Sequence, residues 1–212
     1  MKPILFNTEM VQAILDGRKT VTRRIIKNIP EGMHRIEHDH GKWIACFGAY
    51  DDGIFYDYEK PIRPQPYKTG DILYVRETWH KYSKRVGKGE ACRLETFYGY
   101  KASVQNSEDA AEKWKPSIHM PKEAARIFLR VTSVRAERLQ EITAEQATRE
   151  GIKPDFPPFQ IDEFIDIWNS TVKIADVGRY SWLANPWVWV IEFERCEKPE
   201  DKREEKGTWN NS

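Results

Sequence analysis

The chain opens on a short apolar run, Ile4-Leu5-Phe6, which predicts a buried strand. Met10, Val11, Ile14 and Leu15 then recur on one stripe, which predicts a helix over residues 9–16 capped by Thr8. Gly17 stands where a helix C-terminus favours positive φ. Residues 20–26 are rich in Thr, Val and Ile and should be extended. The turn Gly70-Asp71 leads into a strand over residues 72–77. Leu73 and Val75 face one way there; Ile72, Tyr74 and Arg76 face the other. Residues 127–134 and 187–193 are two more strong strands. Trp187 and Trp189 share a face with Ile191 and Phe193, which assigns both to the core. Thr143 and Gln146 make a capping box, and Gly151 ends the short helix it starts. Ile161, Phe164, Ile165 and Trp168 follow the spacing of a core-facing helix.

Two stretches break this order. Residues 28–68 are punctuated by Pro30, Gly32, Gly41, Pro61, Pro64 and Pro66, with short aromatic pieces between, and predict an inserted hairpin and loop region. Residues 83–125 are irregular, with one candidate strand at residues 98–102 and an exposed polar part at 105–114. Residues 198–212 are charged and without period, as in a flexible tail. There is no internal repeat. The expected organisation is one domain over residues 1–197, of the α+β class. Strands separated by short helices, without a βαβ rhythm, indicate a small mixed barrel with peripheral helices and two long insertions.

Composition narrows the class. The 212 residues are 40% hydrophobic and 32% charged, as in an ordinary globular protein. A net charge of +1 argues against an all-over grip on long duplex nucleic acid, but leaves room for a local basic patch. Cys46, Cys92 and Cys196 are odd in number and far apart, which suggests reduced thiols in a cytoplasmic protein. No apolar stretch approaches the roughly 20 residues of a membrane span, and no signal-peptide run opens the chain. No cofactor is expected. His34, His38, His40 and Cys46 match no zinc spacing, so no metal is expected either.

The richest chemistry lies in Gly17-Arg18-Lys19-Thr20-Val21-Thr22-Arg23-Arg24. A threonine hydroxyl is a poor nucleophile at neutral pH and needs a base beside it. Lysine can serve if desolvation or nearby cations lower its pKa, and Arg18, Arg23 and Arg24 are such cations. In a fully extended segment Lys19 and Thr22 would face opposite ways. Lys19 must therefore belong to the Gly17 turn, with the strand starting at about Thr20. Glu150, in the last turn of a helix, opposes the helix dipole by about 0.3–1 kcal/mol and asks for a cationic partner. A plainer reading makes Lys19, Arg23 and Arg24 a solvated basic edge and Glu150 a surface residue. Beyond the motif, Arg76 and Trp79 are a candidate phosphate or carbonyl clamp and stacking platform; core packing is the alternative for Trp79.

The order Gly17-x-Lys19-x-x-Thr22-x-Arg24, then Gly70-Asp71 opening a strand, then Leu139-x-x-Ile142-Thr143 with Glu150 beyond, resembles the ASCH-domain family of the PUA-like group. The likeness covers most of residues 3–195. The segment from Trp114 through His119 to Pro121 resembles the larger forms seen in phage and prophage genomes. The resemblance implies a small barrel whose cleft binds RNA or a modified nucleoside. It further implies, from compact members that deacetylate N4-acetylcytidine, a catalytic set matching Lys19, Thr22 and Glu150.

Three functions follow as expectations. The first is an amidohydrolase on an acylated cytosine nucleoside, with Lys19 as base, Thr22 as nucleophile and Glu150 as acid. Arg23, Arg24, Arg76 and Trp79 would hold its substrate. The second is a non-catalytic RNA- or DNA-binding module. The third is a metal-independent ribonuclease on single-stranded RNA.

Overall fold

The computed structural model describes residues 1–30, 32–62, 66–103, 113–153 and 160–199. The expected exposed stretch at 105–114 and the tail at 198–212 lie largely outside these residues. The class is mixed α+β. Five strands make the main sheet: β1 (Lys2–Leu5), β2 (Val21–Ile25), β6 (Ile72–Arg76), β9 (Phe128–Arg138) and β10 (Trp187–Cys196). Their order across the sheet is β1-β6-β9-β10-β2. β1 runs parallel to β6; the other pairings are antiparallel.

β10 sits between β9 and β2 and is apolar on both faces. Trp189, Ile191 and Phe193 enter one core with Ile4, Val11, Ile14, Leu73, Val75 and Leu129. Val188 and Val190 enter a second core with Val21, Leu139, Ala147, Phe164 and Trp168. A bulge between Glu192 and Phe193 interrupts the β9–β10 register. Trp189 is buried as expected of a core residue; Trp187 packs half-buried at the margin.

The helices cover these faces. In α1 (Thr8–Leu15) the cap is Asn7 rather than Thr8: the Asn7 side chain accepts from the Met10 amide at 2.8 Å. α2 (Ala144–Arg149) starts at the Thr143–Gln146 capping box, and α3 (Gln160–Thr171) buries Phe164 and Trp168. A single turn, α4 (Val177–Tyr180), follows.

The two insertions are more regular than their sequences suggest. The first is an antiparallel meander of β3 (Met33–Asp39), β4 (Lys42–Asp51) and β5 (Ile54–Pro61). The second holds a hairpin of β7 (Trp79–Val86) and β8 (Arg93–Tyr100), longer than the single strand expected at residues 98–102. On this hairpin Gly99 faces His80, and a Cβ on Gly99 would overlap the imidazole ring. Glycine therefore lets the imidazole lie across the partner strand.

The expected barrel is not closed among the described residues. β1 and β2 are the free edges of an open sheet, and no backbone pairing joins them. They meet through one side chain: Arg24 Nη2 donates to the Leu5 carbonyl at 2.9 Å.

Candidate active site

The candidate site occupies the open seam between β1 and β2. A cleft of about 220 Å³ lies there. Leu5, Phe6 and Asn7 line it from the end of β1, and Met10 from α1. Thr22, Arg23 and Arg24 come from β2, and Ile167, Trp168 and Thr171 from α3; Lys19 and Glu150 complete the wall.

Local structure explains how these meet. Gly17 takes φ +77°, and the Lys19 amide donates to the Ala13 carbonyl at 3.0 Å. Lys19 thus belongs to the turn after α1, and the strand starts two residues later. Thr22 and Arg24 then share one face of β2 and Arg23 takes the other. On the opposite wall Glu150 is the C-cap of α2, followed by Gly151 at φ +102°. The Thr20 amide donates to the Arg149 carbonyl at 2.9 Å, which ties the start of β2 to the end of α2.

Lys19 and Glu150 form a buried ion pair, Nζ to Oε2 at 2.7 Å. Lys19 Nζ also donates to the carbonyls of Val21 at 2.8 Å and Glu150 at 2.7 Å. Three acceptors saturate an ammonium. Arg23 Nη1 reaches Glu150 Oε1 at 3.1 Å, and Arg23 Nη2 donates to Gln146 Oε1 at 2.8 Å. The same Gln146 Oε1 accepts from the Thr143 amide at 3.2 Å, so the capping box also orients Arg23. The carboxylate that opposes the α2 dipole therefore faces two cations.

Burial is the largest influence on Lys19 and drives its pKa below the ordinary lysine value. The Glu150 carboxylate works in the opposite direction; Arg24 and Arg23 add to the lowering. Burial also lowers the pKa of Arg24. Lys19 Nζ and the Arg24 guanidinium each sit 5.5 Å from the Phe6 ring centroid. Thr22 is 4% exposed and lines the cleft from the same face of β2 as Arg24.

Arg76 and Trp79 are elsewhere. The Arg76 side chain donates to the Ile118 carbonyl. Trp79 is 5% exposed and packs with Met120 and Ala124 under the second insertion. Neither lines the cleft, and for Trp79 the core reading is the one the geometry favours. His34, His38, His40 and Cys46 do not converge: His38 stacks on Trp43, and His40 lies beside Asp39. Cys46 instead sits near Glu37 and Glu59, with Arg35 Nε at 2.7 Å from Glu37.

The residues missed by sequence reasoning are Phe6, Asn7, Met10, Gln146 and the Ile167–Thr171 face of α3. Gln146 carried a signal, since a capping glutamine one turn before Glu150 shares its helix. The α3 residues carried none beyond their apolar stripe. No family model, curated protein or solved structure matches the chain. No helix among the described residues is long and apolar enough to cross a membrane.

Proposed function

We propose that the chain is a PUA-like, ASCH-type domain that takes a modified nucleoside into the seam cleft and hydrolyses an amide on its base, as in removal of an acyl group from N4-acetylcytidine. The observation that carries this reading is the buried Lys19–Glu150 pair in the wall of the same cleft that Thr22 lines. The 2.7 Å contact is a path for one proton. When that proton rests on Glu150, Lys19 is a neutral amine and takes the Thr22 proton as the hydroxyl attacks the acyl carbonyl. Arg24 faces the developing oxyanion. Glu150 then protonates the departing cytosine amine. The proton held on Lys19 passes back to Glu150, and the neutral amine takes a proton from water as it attacks the acyl-Thr22 ester and returns it to the Thr22 oxygen as acetate leaves. The apolar wall of Phe6, Met10, Ile167 and Trp168 suits a flat ring.

The test is acetate release from N4-acetylcytidine by the purified chain. Thr22→Val keeps the shape and removes the hydroxyl; it should abolish release while thermal unfolding stays near that of the parent. Release that survives Thr22→Val overturns the nucleophile assignment.

A second reading rests on a different observation. Lys19 Nζ already donates to three acceptors, as a structural ammonium does. That favours a non-catalytic module that binds a nucleotide in the same cleft. Saturable binding of the nucleoside without turnover selects it. The ribonuclease reading predicts shortened single-stranded RNA in the absence of metal.

A further inference from the structure

The β7–β8 hairpin carries a local surplus of positive charge. Between Trp79 and Tyr100 stand Lys81, Lys84, Arg85, Lys88 and Arg93 against Glu90 and Glu95, a balance of +3. The whole chain carries +1, so everything outside the hairpin sums to −2. Lys81, Lys84 and Arg85 are exposed and make no ion pair among the described residues. Arg93 is exposed and pairs with Glu95 at 2.6 Å.

The same hairpin carries a ladder of rings. Cross-strand register places Tyr82 opposite Phe97, Lys84 opposite Glu95 and Val86 opposite Arg93, all on the face that holds His80. The Tyr82 ring stacks on His80 at 5.2 Å and on Phe97 at 5.7 Å, with interplanar angles of 19° and 26°. Trp114 closes the inner end edge-on to His80 at 4.8 Å. Tyr82 and Phe97 are half-buried, so part of each ring still meets solvent. A row of near-parallel rings followed by Lys84, with Glu95 across from it and Arg93 one pair further out, suits a chain of flat bases joined by phosphates.

We propose that the β7–β8 hairpin is a second binding surface, for single-stranded nucleic acid, distinct from the seam cleft. Bases stack along Tyr82 and Phe97, and phosphates meet Lys84 and Arg93 on the same face. An acidic polypeptide would satisfy the charges but leave the rings unused. The hairpin root is joined by a short link to the strand that pairs with β1. β6 ends at Arg76, paired with the cleft residue Leu5, and β7 begins three residues later, a reach of about 10 Å at most. The proposal does not depend on any chemistry in that cleft.

The test is fluorescence anisotropy of labelled oligouridylate and oligothymidylate with the full chain, at several salt concentrations. Lys84→Glu/Arg93→Glu alters only exposed side chains. It should weaken binding at least tenfold and lower the salt slope by about 1.4, roughly 0.7 for each phosphate no longer neutralised. Tyr82→Ala should weaken binding about tenfold with the slope unchanged, as expected when one base is no longer stacked. Nucleoside hydrolysis or nucleoside binding in the same variants should match the parent, which separates this proposal from the cleft reading. Unchanged affinity in the charge-reversed variant overturns it. So does equal displacement by polyglutamate combined with a silent Tyr82→Ala.

Discussion

Glu150→Gln tests the electrostatics of the seam. Glu150, Lys19 and Arg23 are 6%, 4% and 5% exposed. At an effective dielectric constant of about 20, the attraction across 2.7 Å is about 6 kcal/mol. Desolvation offsets much of that, and breaking a buried pair from one side typically costs about 3–5 kcal/mol. Lys19 keeps the carbonyls of Val21 and residue 150 as acceptors, and Arg23 keeps Gln146 with Glu137 at 3.5 Å. The destabilisation should therefore sit near the lower end, about 3 kcal/mol, or about 1–2 M in urea midpoint. The pH dependence is the sharper test. Burial already lowers the Lys19 pKa and Glu150 opposes it; without the carboxylate the folded-state value falls further. Between that value and the ordinary lysine value the unfolded chain binds more protons than the folded one, so stability rises with pH. In the variant this rise starts at lower pH than in the parent. The deficit should shrink with increasing pH, by no more than about 1.4 kcal/mol per unit. Urea titrations from neutral to alkaline pH measure it. A midpoint equal to the parent's, or a deficit that grows with pH, would refute the buried ion-pair account.

Two further outcomes follow from the packing. Gly151→Ala should cost about 1–3 kcal/mol and lower the melting temperature by several degrees in scanning fluorimetry. Its φ is +102°, and the added Cβ would lie 2.9 Å from the Ala13 Cβ; an unchanged melting temperature would contradict that backbone. Arg126→Met should cost about 3–5 kcal/mol in urea unfolding, because Glu77 is 1% exposed and held at 2.9 Å by both Arg126 Nε and Nη2. Arg126→Lys should recover little of it, since an ammonium lacks the two-pronged geometry; full recovery would show that charge alone is needed.

What the sequence made legible was local. The capping box at Thr143, the terminal glycines 17 and 151 and the stripe of α3 depend on neighbours within one or two turns. Lys19 could be assigned to a turn because extended geometry would have separated it from Thr22. The Glu150–cation pairing was anticipated from a conflict with the helix dipole. Pairings across the chain were not legible. β9 runs on to Arg138 through polar residues because Arg135 pairs with both Glu137 on its own strand and Glu192 of β10. The β7–β8 hairpin was obscured by Gly87, Gly89 and its many cations. Trp79 reads the same in a core as on a stacking surface until Met120 and Ala124 are seen around it. That the sheet stays open among the described residues, where a barrel was expected, was not legible either, since the parallel partner of β1 lies some 70 residues downstream.

Among the described residues, the strand that carries Thr22, Arg23 and Arg24 is hydrogen-bonded in the sheet to β10 alone, with Val21 opposite Glu192. These side chains are translated long before that ladder partner. A growing polypeptide must therefore carry this basic segment without a sheet to hold it until β10 has left the ribosome. Any shortened product that stops before Trp187 would have every residue of the seam but lack the strand that holds Thr22, Arg23 and Arg24 in the sheet.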